Sequence, residues 1–209
     1  EAIWLAESGI GDVVVGYPCA DASALQALAS SDVAREAVTL MVDDIEQLDL
    51  LERAAPGHPP VRVAIDMDAS YRPVRGVTIG AARSPLRSAA DVTKLAVQIL
   101  RRKNLRLVGL MAYEGQIAGV GNGEAGAKGS AVRAMQRASA ADIRTRRAEA
   151  VAALETLVDL EFVNGGGTGS LESTTRESAV TEVAAGSGLV GPGLFDGYRH
   201  FRPKPALYF

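Results

Sequence analysis

Apolar segments typical of buried strands alternate with segments typical of helices along nearly all of the 209-residue chain. The predicted strands cover residues 12–17, 37–42, 61–67, 105–112, 160–163 and 180–184, and the predicted helices cover residues 1–8, 21–30, 43–54, 89–103 and 131–157. Asp21 is a predicted N-cap, and so is either Asp43 or Asp44. Because strands and helices alternate with short connections, we expect a parallel sheet with helices outside it. Strands that are apolar throughout are typical of a sheet covered on both faces.

Two glycine clusters follow the last two predicted strands. The first is residues 164–170, with the sequence NGGGTGS, and the second is residues 186–188, with the sequence GSG. A glycine-rich loop at the C-terminal end of a parallel strand lets backbone N–H groups reach a phosphate, and Thr168 and Ser170 add hydroxyl donors. The alternative is a flexible surface linker.

The late position of these clusters distinguishes between two α/β folds. A doubly wound sheet places its phosphate loop after the first strand, whereas a TIM barrel places it after strands seven and eight. The paired clusters therefore favour a TIM-type (β/α)8 barrel. If they follow strands seven and eight, two strands would precede Glu1, so we expect an incomplete barrel from a longer polypeptide.

Composition excludes several classes of partner. The net charge of −3 and the pI near 5.5 argue against nucleic acid or an anionic membrane surface as the main partner. No apolar run approaches the roughly 20 residues of a membrane span, and no signal peptide is recognisable. Cys19 is the single cysteine, which fits a reducing cytoplasm. The sequence thus predicts a cytoplasmic protein whose partner is a small molecule.

Several charged or polar residues are weaker candidates for a site. Asp66 and Asp68 end the strand at 61–67 on the same side, where they could bind a cation or position a substrate amine. The alternative is that one aspartate caps a loop and the other pairs with Arg72 or Arg83. His58 and His200 form no metal pair by spacing, so no metal site is predicted within the chain.

The long predicted helix at 131–157 is rich in arginine. We expect these side chains to form a solvated outer face; they are Arg133, Arg137, Arg144, Arg146 and Arg147. The glycine-rich segment before it, residues 119–130, is expected to be a mobile loop and a candidate lid over the barrel mouth. Cys19 could line that mouth, but a buried inert thiol is the simpler interpretation.

Three segments together resemble a known enzyme family. Residues 109–116 (GLMAYEGQ), residues 164–170, and residues 181–183 followed by 186–188 resemble the barrel domain of fold-type III pyridoxal-phosphate enzymes. Within that group the chain is most similar to the amino acid deaminase/aldolase branch, which is D-threonine aldolase-like, and it is more distantly similar to the alanine racemase N-terminal domain. The resemblance covers residues 1–202 as the cofactor-binding barrel, and residues 203–209 resemble the start of a C-terminal β-domain.

The resemblance implies roles for individual residues. The phosphate of pyridoxal 5'-phosphate would be bound by residues from both clusters, namely Gly166, Gly167, Thr168, Gly169, Gly186, Ser187 and Gly188. Tyr113 occupies the position where alanine racemases carry a histidine beside the cofactor ring, so it would pack on the pyridine face. The alternative for Tyr113 is ordinary core packing.

At the pyridine nitrogen the chain departs from the racemases. Where they carry an arginine this sequence has Ala184, and Glu182 lies two residues earlier on the same side of the strand. A carboxylate there would keep the ring nitrogen protonated; the alternative is a carboxylate at the rim. For the substrate, Arg72 or Arg83 could clamp the carboxylate, and Gln116 is a weaker candidate.

The lysine that forms a Schiff base with the cofactor in this family has no counterpart at a predicted strand end. The four lysines are Lys94, Lys103, Lys128 and Lys204, so the catalytic lysine is expected upstream of Glu1. The resemblance then implies a full-length, homodimeric, pyridoxal-phosphate-dependent lyase or racemase acting on a small D-amino acid, with any divalent metal held by the C-terminal domain. The alternatives are a non-catalytic pyridoxal-phosphate carrier barrel and, more distantly, a sugar-phosphate or nucleotide-binding barrel.

Overall fold

The computed structural model describes residues 1–200 and 204. The chain forms two compact units, each built from three segments of sequence. The first unit consists of Glu1–Met67, Ser84–Met111 and Ala152–Glu161, and the second consists of Asp68–Arg83, Ala112–Val151 and Phe162–Phe209. The predicted start of a C-terminal domain at 203–209 lies outside the described residues, except for Lys204, which is exposed.

The first unit contains parallel strands that neighbour one another in chain order. They are β1 (Val13–Val15), β2 (Val38–Val42), β3 (Val61–Asp66) and β4 (Leu105–Ala112), the last ending at the first residue of a second-unit segment. Every residue of β2 is buried, and so is all of β3 except Arg62. Burial on both faces explains why these strands read as continuous apolar runs, as the sequence predicted.

Helices accompany these strands, and all of the helices named here except the first begin at a side-chain cap. The helices are α1 (Ala2–Glu7), α2 (Ala22–Ser30), α3 (Asp32–Ala37), α4 (Ile45–Ala54) and α5 (Ala89–Leu100). Asp21 caps α2 as predicted, accepting from the N–H groups of Ser23 at 2.9 Å and Ala24 at 3.1 Å. Of the two candidates for α4, Asp44 is the cap. The sequence missed α3, a short helix capped by Ser31.

The second unit contains the remaining elements. They are α6 (Gly115–Ala118), α7 (Gly126–Glu155, whose last turn belongs to the first unit), β5 (Phe162–Gly165), a 3-10 turn (Thr168–Ser170), α8 (Leu171–Thr174), β6 (Glu182–Val183) and a second 3-10 turn (Gly193–Gly197). Strands β5 and β6 are parallel, with Asn164 opposite Glu182 and Gly165 opposite Val183. Their carboxyl ends therefore lead into the two glycine clusters at one edge.

The expected loop at residues 119–130 is wrong in its second half, because α7 begins at Gly126. The first half is held by hydrogen bonds within the unit. The Gln136 amide bridges it, accepting from Asn122 Nδ2 at 2.8 Å and donating to the Val120 carbonyl at 2.8 Å. The Gly123 N–H also donates to the Gly197 carbonyl at 2.7 Å. These contacts hold the segment against the rest of the unit in this structure, and its role as a mobile lid stays a prediction.

No helix within residues 1–200 is both long and apolar enough to cross a membrane.

Candidate functional site

The two glycine clusters meet within the second unit, as the sequence predicted. The hydroxyl oxygens of Thr168 and Ser187 lie 3.0 Å apart, so one oxyanion could contact both. The backbone N–H groups of Thr168, Gly169, Gly186 and Ser187 donate to no described residue. One of these hydroxyls donates to the other, so among the described residues the converging loops offer one unbonded hydroxyl donor and four unbonded N–H groups. Such a concentration of donors is suited to a phosphate dianion.

Three of the predicted phosphate donors are already bonded to protein groups. The N–H of Gly166 donates to Glu114 Oε2 at 3.1 Å, and the N–H of Gly167 donates to Ser170 Oγ at 3.0 Å. The N–H of Gly188 donates to the Ala185 carbonyl at 2.8 Å. Phosphate contacts by these three N–H groups stay a prediction, and the donors just described are the better candidates.

Glycine is required at position 167 by its neighbours. A Cβ atom there would lie 2.7 Å from the Cβ of Ala118 and 2.9 Å from Cε2 of Tyr113. Gly166 has a φ of 77°, a left-handed conformation that residues with a side chain rarely adopt. The loop therefore follows its path only because these positions lack side chains.

The Tyr113 ring is half-buried and packs along the glycine loop. Besides its approach to Gly167, its Cε1 atom would lie 3.0 Å from a Cβ at Gly115. The guanidinium carbon of Arg83 lies 5.2 Å from the ring centroid, within the range of a cation–π contact. Tyr113, which was predicted to pack on the cofactor ring, therefore lies beside the glycine loop. Arg83, one of the two residues predicted to bind a substrate carboxylate, lies beside Tyr113.

The buried carboxylate of Glu114 accepts hydrogen bonds from the glycine loop and from α8. No role was predicted for Glu114 from the sequence. It is 1% exposed, and its carboxylate accepts from the Gly166 N–H, from Ser170 Oγ at 3.3 Å and from the Thr174 hydroxyl. Oε2 also accepts from Arg147 Nη2 at 2.9 Å. A buried carboxylate needs such partners because an uncompensated buried charge costs several kcal/mol. Glu114 follows Tyr113 in the segment 109–116, and this position was the sequence feature that could have indicated a role for it.

Arg147 contradicts the predicted solvated face of the long helix, because its side chain is fully buried. Its guanidinium donates to Glu114, to the Ala112 carbonyl at 3.0 Å and to Glu177, while Nε has no partner among the described residues. Burial raises the pKa of Glu177, and the charge of Arg147 opposes that rise. The signal was periodicity: Ile143, Arg147, Ala150 and Leu154 are spaced along one helix face, and all four are buried.

Glu182 lies opposite Asn164 on the neighbouring strand. Its Oε1 atom accepts from Asn164 Nδ2 at 2.6 Å, and the side chain is half-buried. Asn164 Oδ1 is buried and has no hydrogen-bond partner among the described residues. A contact of Glu182 with the cofactor ring nitrogen stays a prediction.

The remaining candidates have identifiable structural partners. Asp68 accepts from the Ser70 N–H at 2.9 Å and from Arg72 Nη2 at 2.9 Å, so one aspartate both caps a loop and pairs with an arginine. Gln116 is 2% exposed, and its amide nitrogen donates to the Ala69 carbonyl and to Ser139 Oγ, each at 2.7 Å. Substrate contacts by Arg72 and Gln116 stay predictions.

Histidine and acidic side chains form no metal site in the described part of the chain. There, no group of three His, Cys, Asp or Glu residues could hold a metal ion. The His58 ring lies 2.6 Å from the Pro59 carbonyl and 3.0 Å from Asn104 Nδ2, which is a structural arrangement. Any divalent metal was expected from the sequence to be held by the C-terminal domain, and that expectation stays a prediction.

Comparison with known proteins identifies relatives with this architecture. The family model described as alanine racemase, N-terminal domain, matches residues 1–193. The 3-hydroxy-D-aspartate aldolase of Paracoccus denitrificans is 28% identical over 189 residues, which is 90% of this chain and 44% of that protein.

Solved structures give the same result for the fold. The D-threonine aldolase from Filomicrobium marinum matches with a TM-score of 0.68 and 24% identity, covering 100% of this chain and 50% of that one. The D-threo-3-hydroxyaspartate dehydratase from Delftia sp. HT23 matches with a TM-score of 0.60 and 21% identity, covering 89% of this chain and 44% of that one. The chain thus spans about half the length of the relatives it matches, and the predicted fold class, an incomplete TIM-type (β/α)8 barrel, is confirmed.

Proposed function

The chain belongs to the alanine racemase N-terminal domain family of fold-type III pyridoxal-phosphate enzymes, and we propose that it supplies the cofactor-phosphate site of an enzyme acting on a small amino acid. The observation that carries this proposal is the convergence of Thr168, Ser187 and their unbonded neighbouring N–H groups beside the ring of Tyr113. When bound, pyridoxal 5'-phosphate supplies an electron sink for negative charge at the α-carbon of an amino acid.

The residues of the second unit have separate tasks in this proposal. Thr168 and Ser187 donate hydroxyl hydrogen bonds to the phosphate, and the N–H groups of Gly169 and Gly186 add charge-assisted bonds. Tyr113 packs against one face of the pyridine ring and fixes its plane. The Glu182 carboxylate would accept a hydrogen bond from the protonated ring nitrogen, which would keep that nitrogen positively charged.

The substrate is proposed to be a β-hydroxy amino acid of D configuration. The matched relatives are named as an aldolase of 3-hydroxy-D-aspartate, an aldolase of D-threonine and a dehydratase of D-threo-3-hydroxyaspartate. Arg83 is proposed to bind a substrate carboxylate, which its contact with the Tyr113 ring supports, and Arg72 is the second candidate. We therefore favour retro-aldol cleavage or deamination over racemisation as the reaction class.

A Schiff-base lysine is expected outside residues 1–209. Lys94 lies on α5 and Lys128 on α7, Lys103 follows α5, and Lys204 is exposed. None of the four stands at the C-terminal end of a described strand, which is where a barrel enzyme holds its catalytic groups.

Cofactor binding can be tested on the full-length protein by absorbance. Protein supplied with pyridoxal phosphate should absorb in the region of a protein-bound aldehyde adduct, and borohydride should abolish that band. A colourless protein that takes up no cofactor would refute the proposal. A protein that binds the cofactor but releases no aldehyde, keto acid or ammonia from a panel of D-β-hydroxy amino acids would contradict the proposed cleavage and deamination reactions. That result would favour the non-catalytic pyridoxal-phosphate carrier.

The two hydroxyl donors provide a sharper test. Thr168→Ala and Ser187→Ala should each remove one charge-assisted hydrogen bond, about 1.5–3 kcal/mol, and weaken cofactor affinity about tenfold to hundredfold. Equilibrium titration with pyridoxal phosphate measures the change. Thr145→Ala is the matched control, since its exposed hydroxyl donates only to the Ala141 carbonyl of the same helix. Unchanged affinity in both loop variants would contradict the assigned phosphate site.

A further inference from the structure

A second concentration of positive charge lies in the second unit, in a cleft of about 350 Å³. Three segments form its walls. They are the first half of α7, residues 172–176 in and just after α8, and residues 198–200. Its basic lining residues are Arg133, Arg137, Arg176, Arg199 and His200, and Glu172 is the one acidic residue among the described residues that line it. Of the two glycine clusters only Gly169 lines the cleft, so the cleft borders the assigned phosphate site at Gly169 but includes neither Thr168 nor Ser187.

Three of these arginines form no ion pair with a described residue. The side chains of Arg137, Arg176 and Arg199 make no ion pair or hydrogen bond with any described residue, and all three are exposed. Elsewhere in the second unit, Arg146 pairs with Asp142 at 2.8 Å and Arg72 pairs with Asp68 at 2.9 Å. Acidic residues are also in excess over the whole chain, which carries a net charge of −3. Unpaired guanidinium groups around one cleft repel one another, and a bound anion would relieve that repulsion.

The walls of the cleft are held in place independently of any ligand. Arg133 Nη1 donates to the carbonyls of Asn122 at 2.9 Å and Glu124 at 3.0 Å, so this arginine braces the wall. The Arg199 N–H donates to Asn122 Oδ1 at 2.9 Å, which fixes the backbone that carries its side chain. A site whose walls are already ordered loses less conformational entropy when it binds a ligand.

Tyr198 completes the wall without adding negative charge. Its hydroxyl donates to the Ala118 carbonyl at 2.8 Å, and its ring packs on Phe195 with centroids 5.4 Å apart. Burial raises the pKa of Tyr198 to about 12, so the phenol stays neutral at physiological pH.

We propose that this cleft binds a small divalent oxyanion of the phosphate class. Guanidinium groups donate two parallel hydrogen bonds to a tetrahedral oxyanion, and Arg137, Arg176 and Arg199 approach the cleft from three separate segments. The volume is at the lower end of the range for small-molecule sites. A small anion therefore suits the cleft better than an acidic polypeptide.

Inorganic phosphate is the probe for this site, titrated by calorimetry into the full-length protein with and without saturating pyridoxal phosphate. Arg137→Ala and Arg176→Ala should each weaken phosphate binding about tenfold to hundredfold in both conditions. Arg75→Ala is the matched control, because Arg75 is exposed in the same unit and lies outside the cleft. It should leave phosphate affinity unchanged.

Four outcomes would overturn the proposal, and none depends on the cofactor assignment. The first is no phosphate binding by a protein that folds. The second is binding that is lost in Thr168→Ala and Ser187→Ala but retained in both arginine variants, which would place the phosphate on the glycine loops. The third is equal weakening in Arg75→Ala, which would indicate non-specific charge attraction. The fourth is binding of a polyglutamate peptide but not phosphate, which would make the cleft a surface for acidic polypeptides.

Discussion

Arg147→Met should lower the free energy of unfolding by about 3–5 kcal/mol, the largest stability effect that we expect from a single substitution in this chain. Methionine keeps the apolar stem of the arginine side chain, so the main cost comes from the lost guanidinium charge and its hydrogen bonds. The carboxylates of Glu114 and Glu177 are both buried, and both accept a hydrogen bond from the Arg147 guanidinium. Removal of that guanidinium leaves two buried acids without the cation that donates hydrogen bonds to both. Denaturant titration monitored by circular dichroism measures the loss.

The pH dependence of this loss identifies its cause. Burial raises the pKa of Glu177 even with Arg147 present, and removal of the cation should raise it further. A carboxyl whose folded pKa exceeds its unfolded pKa binds more protons in the folded state, so lowering the pH favours folding. The deficit of Arg147→Met should therefore shrink between about pH 8 and about pH 5.

Two further variants complete this experiment. Arg144→Met, on the exposed face of the same helix, removes a charge that lowers the pKa of Glu177 without a hydrogen bond to it, so it should cost less than about 1 kcal/mol. Glu177→Gln in the Arg147→Met background should recover part of the lost stability, because it removes one of the two unpaired charges. If Arg147→Met were as stable as the wild type at neutral pH, the buried ion pairs would not exist in solution.

Gly167→Val should weaken pyridoxal-phosphate affinity by more than about a hundredfold, which exceeds the effect of either hydroxyl deletion. A Cβ at this position would lie 2.7 Å from the Ala118 Cβ and 2.9 Å from the Tyr113 ring, both of them too close. To accommodate the branched side chain, the loop must move away from α6, and the donors of Thr168 and Gly169 move with it. We also expect a stability loss of about 1–3 kcal/mol from overpacking.

The cofactor titration of Gly167→Val needs a glycine control without neighbours. Gly11→Val serves this purpose, since no atom would lie within 4 Å of its Cβ and it does not have a positive φ. It should bind cofactor as the wild type does. A Gly167→Val protein that is folded and binds pyridoxal phosphate with wild-type affinity would show that the loop is not the phosphate site.

The sequence predicted the elements whose boundaries depend on local chemistry. Residues 105–112 were predicted as a strand and form β4, because a run that is apolar apart from Arg106 indicates a strand buried on both faces. Asp21 was predicted to cap α2, because a capping carboxylate acts on N–H groups two and three residues away. The short helices α3, α6 and α8 were missed, since fewer than two turns give little periodicity to detect.

The glycine clusters were also predicted from sequence, together with their convergence at the ends of two neighbouring strands. This inference succeeded because parallel topology brings the carboxyl ends of β5 and β6 to one edge, as the contact of Thr168 with Ser187 shows. What the pattern could not reveal is which N–H groups remain unbonded. Glu114 and Ser170 take up those of Gly166 and Gly167, and Glu114 is 52 residues away from Gly166 in the sequence.

The predicted environment of the charged side chains on the long helix was wrong in part. An arginine-rich helix is expected to be solvated, and Arg144 is indeed exposed, yet Arg147 lies on the buried face with Glu114 and Glu177 as partners. Those partners come from other segments of the chain, so local periodicity could place Arg147 on a face but could not identify its counter-charges. The arginine cleft has the same origin, because Arg137, Arg176 and Arg199 are distant in sequence and meet only through folding. Local sequence thus determined the strands, caps and glycine loops, whereas long-range packing alone determined which charges are paired, which are buried and which remain available to bind an anion.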